Sequence, residues 1–174
     1  MGNFFNVGID IVQNNRIKTI IIPENIEKNI LNNNKKSLNI NFLINKFIKN
    51  EVAKYLNENF SSNLNDNLKK FQINIAFLER IYTKYEITLS LKSNNIINYF
   101  SSRFAAKEAC VKALKTGFGK GISYKSVEII TNNGIPEILL KAPLFDMFND
   151  KRLFLSISHE NDYSIAIVLV ENKN

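Results

Sequence analysis

The sequence predicts an α+β domain built from an antiparallel sheet with packed helices. Three observations predict it. A short apolar strand opens the chain, a helical pattern with alanines and spaced aromatics fills residues 94–117, and the last third alternates in period two around turn residues. The length of 174 residues suits a single domain spanning 1–174, with a low-complexity Asn/Lys-rich insertion around 17–79.

The first element, FFNVGIDIV (4–12), is apolar, short and β-branched, so it reads as a strand. Gly8 inside it suggests a bulge or a close backbone approach. Strand alternation puts Asp10 on the same face as Gly8 and Val12. Residues 17–79 read as less regular. Phe42, Leu43, Lys46, Phe47, Val52 and Leu56 hint at helix, and SSNLNDNLKK (61–70) reads as a polar, disordered loop. Regularity returns after Arg80. Thr83 followed three residues later by Glu86 is a capping-box pattern, which predicts a helix over 84–91. In the next segment Phe100, Phe104, Val111 and Leu114 recur at helical spacing, and Gly117 is the expected stop. Two hairpins follow. The first pairs 125–131 with 136–141 around Asn132-Asn133-Gly134, and the second pairs 153–160 with 162–171.

Composition bounds the chemistry. Cys110 is the only cysteine and His159 the only histidine, so intrachain disulfides and Cys- or multi-His metal sites are excluded. A bound metal must take mainly oxygen ligands, which points to a hard cation such as Mg2+. The net charge of +7 attracts anions: nucleic acid, phosphorylated cofactors or an acidic protein. Apolar runs are too short to span a bilayer, and MGNFFNVGID lacks the basic region and long apolar stretch of a signal peptide. Asparagine occurs 28 times, 17 of them between Asn14 and Asn74, a bias that with Lys and Ile matches an AT-rich genome.

Glu108 and Lys112 are four residues apart on the predicted helix and share a face. Most such pairs are ordinary surface pairs worth about 0.3 kcal/mol. Here Glu108 borders the apolar stripe, four residues after Phe104 and three before Val111, which favours a site. Arg103, Lys107, Lys112, Lys115 and Lys120 cluster around this helix, ahead of and within KTGFGKG. Glycine-rich turns with lysines can hold phosphates, although this one is no Walker A loop and a solvated basic helix end is the ordinary alternative. Asp10 alone reads as a strand-end acid that caps a turn or pairs with a lysine.

VGIDIV (7–12), RFAAKEACVKALKTG (103–117) and SISHENDYSIAIVLVE (156–171) together resemble the holo-acyl-carrier-protein synthase family of phosphopantetheinyl transferases. RIYTKYEI (80–87) and NNGIPEI (132–138) are similar to two further stretches of that family, so the resemblance covers residues 4–16 and 80–171. There are departures. Asn6 stands where the family often has Gly, and Ile9 where it has Thr. The Gly-Thr-Gly turn appears as Thr116-Gly117-Phe118-Gly119, and Gly-Lys-Pro as Gly134-Ile135-Pro136.

The resemblance implies the 4′-phosphopantetheinyl transferase fold in a single copy of the half-domain. It implies transfer of 4′-phosphopantetheine from coenzyme A to a serine of apo acyl carrier protein, with 3′,5′-ADP leaving. On this reading Asp10 and Glu108 hold Mg2+, and Glu108 and Lys112 serve catalysis. Arg103, Lys107, Lys112, Lys115, Thr116, Gly117, Gly134, Pro136 and His159 contact coenzyme A. The serine proton has two candidate acceptors, Glu108 and a metal-held water. The implied assembly is a homotrimer with coenzyme A at subunit interfaces, and the implied pathway is fatty acid synthesis. The expected location is soluble, in a relict plastid of an AT-rich parasite or in the cytoplasm. A basic nucleic-acid-binding module is the alternative, and no RNA-binding signature supports it. An interaction protein that kept the fold but lost the activity is a third reading; the retained Asp10, Glu108 and Lys112 argue against it.

Overall fold

The computed structural model describes residues 6–33, 39–58 and 71–173. The predicted loop at 61–70 lies outside them. Strand β1 (Asn6–Gln13) leads directly into α1 (Asn14–Ile21), followed by α2 (Glu24–Asn33) and α3 (Ile40–Glu58). Then come α4 (Ile75–Ile81), α5 (Lys84–Ser90) and the long α6 (Ile96–Ala113). A 3-10 turn (Tyr124–Ser126) opens the first hairpin, β2 (Val127–Asn132) and β3 (Ile135–Leu140). A short α7 (Leu144–Phe148) precedes the second, β4 (Lys151–His159) and β5 (Tyr163–Asn172).

The expected antiparallel sheet forms as two pieces. One has three strands in the order β1-β5-β4, the other pairs β2 with β3. Gly8 stands opposite Val168 and Asp10 opposite Ala166, so strand alternation sends Gly8, Val12, Ala166 and Val168 to one buried face. Helix α6 packs on that face through Ala105, Ala109 and Ala113. The small residues have a purpose that Gly8 makes explicit. A Cβ at Gly8 would sit 2.0 Å from the Ala109 carbonyl oxygen and 2.6 Å from the Ala113 nitrogen. Strand and helix backbones therefore touch at one place, and only glycine fits there.

The capping box at α5 is present in full. The Thr83 hydroxyl accepts from the Glu86 N–H, and the Glu86 carboxylate accepts from the Thr83 N–H at 2.8 Å. The first hairpin turns on Asn133 and Gly134, both at positive φ (49° and 82°), as a two-residue primed turn requires.

Two expectations need correction. The stretch that reads as less regular contributes α1, α2 and α4, beside α3 (Ile40–Glu58), which bears out the helix hinted at by Phe42, Leu43, Lys46, Phe47, Val52 and Leu56. Ile17, Ile21, Ile44, Ile48, Val52, Ile75 and Leu78 from it are core residues. Their spacing is helical, but the polar positions between them are filled by Asn and Lys, which blurs the pattern. The stop of α6 comes earlier than Gly117. The helix ends at Ala113 and Lys115 takes the left-handed conformation (φ 58°), while the Thr116 N–H reaches back to the Val111 carbonyl.

Candidate functional site

The close approach at Gly8 fixes what lies beside it. Asp10 is two residues further on the same face of β1, and Glu108 and Lys112 immediately precede the two alanines that Gly8 touches. The Lys112 ammonium lies 2.6 Å from Asp10 Oδ1 and 3.3 Å from the Ile9 carbonyl oxygen. The Asp10 side chain is only 16% exposed, so this pair is better shielded than a surface salt bridge. One helical turn back, Glu108 Oε1 accepts a 2.6 Å hydrogen bond from the Tyr124 hydroxyl. Burial first, and then the hydrogen bond to Glu108, push the Tyr124 phenol well above its ordinary pKa, and the charge of Asp10 adds to the shift. The Lys112–Asp10 and Tyr124–Glu108 pairs thus lie one helical turn apart along α6, where β1 crosses it.

This donor set suits a hard cation. Among the described residues no group of three or more His, Cys, Asp or Glu could cage a metal. A Mg2+ ion that keeps waters and shares phosphate oxygens with a substrate takes one or two protein carboxylates, which Asp10 and Glu108 could supply.

A second feature is a cleft of about 520 Å³ beside the N-terminal half of α6. Arg103, Gly134, Pro136 and His159 line it, together with Tyr99 and Ser102. The Arg103 guanidinium lies 3.6 Å from the Tyr99 ring centre and donates to the Ser102 hydroxyl, while its Nε is buried without a partner. His159 closes the second hairpin. Its Nδ1 stands 3.5 Å from the Asn98 amide, whose oxygen accepts from Asn14 at 3.1 Å. Asn14 is buried and is held in turn by the Ser164 hydroxyl and the carbonyls of Glu160 and Asn161.

The predicted residues therefore divide. Asp10 and Lys112 pair at the crossing with Glu108 one turn away on α6, and Arg103, Gly134, Pro136 and His159 line the cleft. Lys115, Thr116 and Gly117 lie past the end of α6 and do not line the cleft. Lys107 corrects the expectation of a coenzyme A contact. It is wholly buried, and its ammonium donates to Glu86 Oε2 (2.8 Å) and to the carbonyl oxygens of Tyr124 (3.0 Å) and Val127 (2.5 Å). Three protons meet three acceptors, so none remains for a phosphate. Burial pulls the Lys107 pKa down, against the pull of Glu86. Burial also pushes the lone thiol of Cys110 up to about 12, which leaves it inert.

Sequence reasoning missed Tyr124 and the partner of Lys107. The lysine carried a signal: it falls between Phe104 and Val111 on the apolar stripe, where a charge needs a buried counter-charge. Tyr124 follows an irregular glycine-rich loop, and no periodicity points to it.

Residues 53–168 match the family model of the 4′-phosphopantetheinyl transferase superfamily. The chain is 43% identical over 98 residues to a holo-[acyl-carrier-protein] synthase of Wolbachia pipientis, covering 54% of this chain and 77% of that protein. It is 42% identical over 103 residues to that of Oceanobacillus iheyensis, covering 58% and 82%. Among solved structures, the Helicobacter pylori holo-[acyl-carrier-protein] synthase in complex with coenzyme A superposes with a TM-score of 0.56 at 27% identity, covering 94% of this chain and 98% of that one.

Proposed function

The chain belongs to the 4′-phosphopantetheinyl transferase superfamily, and from that premise we propose that it moves the 4′-phosphopantetheine group of coenzyme A onto a serine of apo acyl carrier protein. The observation that supports this reading is the crossing of β1 and α6, where Lys112 pairs with Asp10 and Glu108 stands one turn before Lys112 on the same helix face.

Asp10 and Glu108 are the residues that would hold Mg2+. When bound, the ion offsets negative charge on the attacked and leaving phosphates. Lys112, one turn beyond Glu108, supplies a mobile cation that exchanges Asp10 for phosphate oxygens as charge builds there. Arg103 brings a guanidinium to the cleft and His159 a ring nitrogen, which suits the phosphates of coenzyme A. Gly134 and Pro136 shape its far wall from the first hairpin. Attack by the serine hydroxyl on the β-phosphate forms the new ester P–O bond and breaks the P–O bond to the 3′,5′-ADP leaving group, the serine proton passing to Glu108 or to a water.

The assembly is a homotrimer. The outer face of the three-stranded sheet supports it: Val7, Ile9 and Ile11 are each more than half exposed, and Ile167, Leu169 and Phe154 beside them are also exposed. Such a contiguous apolar face is the mark of an interface. A shared interface also accounts for a cleft whose lining does not include the carboxylate pair, since a neighbouring subunit can complete the site. The net charge of +7 suits an acidic carrier, which Lys112, Lys115 and Lys120 would steer. No described helix is long and apolar enough to cross a membrane. The pathway served is fatty acid synthesis, in a plastid or the cytoplasm.

The test is to incubate the protein with coenzyme A, Mg2+ and an apo acyl carrier protein and to weigh the carrier. A phosphopantetheine mass gain on the serine is expected. An unchanged carrier mass, with folded protein, rejects the reading.

A further inference from the structure

Tyr124 is held more firmly than its place in the chain requires. It follows an irregular stretch, yet four separate contacts fix it. Its ring stacks on Phe118 with centroids 3.9 Å apart, and on Phe104 at 5.4 Å, both nearly parallel. Its carbonyl oxygen accepts from the buried ammonium of Lys107, which Glu86 anchors from α5. Its hydroxyl ends 2.6 Å from Glu108 Oε1.

These contacts share a geometry. Phe104 and Glu108 are four residues apart on α6 and so lie on one face. A ring laid flat on Phe104 carries its hydroxyl along that face to Glu108. Lys107, next to Glu108 but pointing into the core, holds the backbone of the same tyrosine. The tyrosine is thus pinned from both sides of the helix, and its remaining polar group is spent on one carboxylate oxygen.

A carboxylate on a helix has freely rotating terminal torsions, and its orientation is set only by what it bonds. One short O–H···O bond to Oε1 fixes the plane of the Glu108 carboxylate and leaves Oε2 for another partner. The geometry points to Tyr124 as a positioning residue: it orients the Glu108 carboxylate for the metal, as an outer-shell donor orients a ligand. The assignment rests on the proposed metal role of Glu108 and adds a residue to it. Tyr124 acts through Glu108 and takes no part in the chemistry itself.

The test compares Tyr124→Phe, Glu108→Gln and the double variant in the full chain, since phenylalanine keeps both ring stacks and removes only the hydroxyl. Two quantities are read: kcat and KM for coenzyme A in the Mg2+-dependent transfer, and Mn2+ binding by the protein without substrates, followed by the loss of the free-ion electron paramagnetic resonance signal. Tyr124→Phe is expected to melt at the parental temperature and to lose about tenfold in kcat, the cost of one charge-assisted hydrogen bond. Its KM for coenzyme A should stay within about twofold of the parent, and its Mn2+ affinity should fall several-fold. Adding it to Glu108→Gln should weaken Mn2+ binding no further. Parental kcat in Tyr124→Phe overturns the assignment and leaves the metal reading standing, provided Glu108→Gln is inactive. A lower kcat with unchanged Mn2+ affinity also overturns it, because the effect would then not run through Glu108. If Glu108→Gln itself keeps kcat and Mn2+ affinity, the metal reading falls, and the role of Tyr124 with it.

Discussion

Replacing Lys107 by methionine keeps the length of the side chain and removes its charge. What is left behind sets the magnitude. The Glu86 carboxylate is fully buried and would keep only the N–H groups of Thr83 (2.8 Å) and Ile129 (3.0 Å), with no counter-charge. The carbonyl oxygens of Tyr124 and Val127 would lose their donor as well. Breaking a buried ion pair from one side costs about 3–5 kcal/mol, a large fraction of the roughly 5–15 kcal/mol that holds a domain of this kind together. For a chain of this size that corresponds to a melting temperature lower by about 6–20 °C. Replacing Glu86 by leucine in the same chain should recover part of the loss, because no unpaired charge remains, although Thr83 and Ile129 still lose their acceptor. Thermal melts followed by circular dichroism measure both effects, and KM for coenzyme A at a temperature where the variant is folded should stay near the parental value. A melting temperature within about 2 °C of the parent, together with a raised KM for coenzyme A, would refute the reasoning and return Lys107 to the phosphate.

Further outcomes follow from the same contacts. Gly8→Ala forces a Cβ against backbone atoms of α6 that cannot rotate away, so it should cost at least about 1–3 kcal/mol in urea unfolding. By pushing Asp10 off the crossing it should also lower kcat by up to about a hundredfold; a fully active, equally stable variant would show that β1 and α6 have room to spare. Ile9→Arg with Ile167→Arg places charges opposite one another on the outer sheet face. Light scattering should then find single 20.0 kDa chains where the parent forms trimers, and a parental monomer would remove the proposed interface.

The second half of the fold was legible because its signals are local. The capping box of Thr83 and Glu86, the aromatic stripe of α6 and the Asn133-Gly134 turn each need only a few neighbouring residues to act. Helices α1 and α2 were hard to read for the opposite reason, whereas Phe42, Phe47, Val52 and Leu56 already hinted at α3. Gln13 at the start of α1 makes no side-chain cap, and isoleucines set among asparagines give no strong helix propensity. The order of α1–α3 comes from packing Ile17, Ile21, Ile44 and Ile48 into the common core. At the site, the sharing of a face by Glu108 and Lys112 followed from helix spacing, whereas the meeting of Lys112 with Asp10 depends on a contact between residues about a hundred positions apart. Gly8 held the clue, as a glycine where two backbones meet, but its partner helix could be named only through the family resemblance. The burial of Lys107 is nonlocal in the same way: its acceptors lie on α5 and on the segment that opens β2.

The central claim is that Asp10 and Glu108 act as one metal-holding pair in phosphopantetheine transfer. The most direct measurement weighs apo acyl carrier protein after incubation with coenzyme A and the parent, Asp10→Ala or Glu108→Ala, each over a range of Mg2+ concentrations. A Mg2+-dependent phosphopantetheine mass gain is expected with the parent and none with either folded variant. A gain with the parent that persists when Mg2+ is chelated, or full activity in either variant, would contradict it.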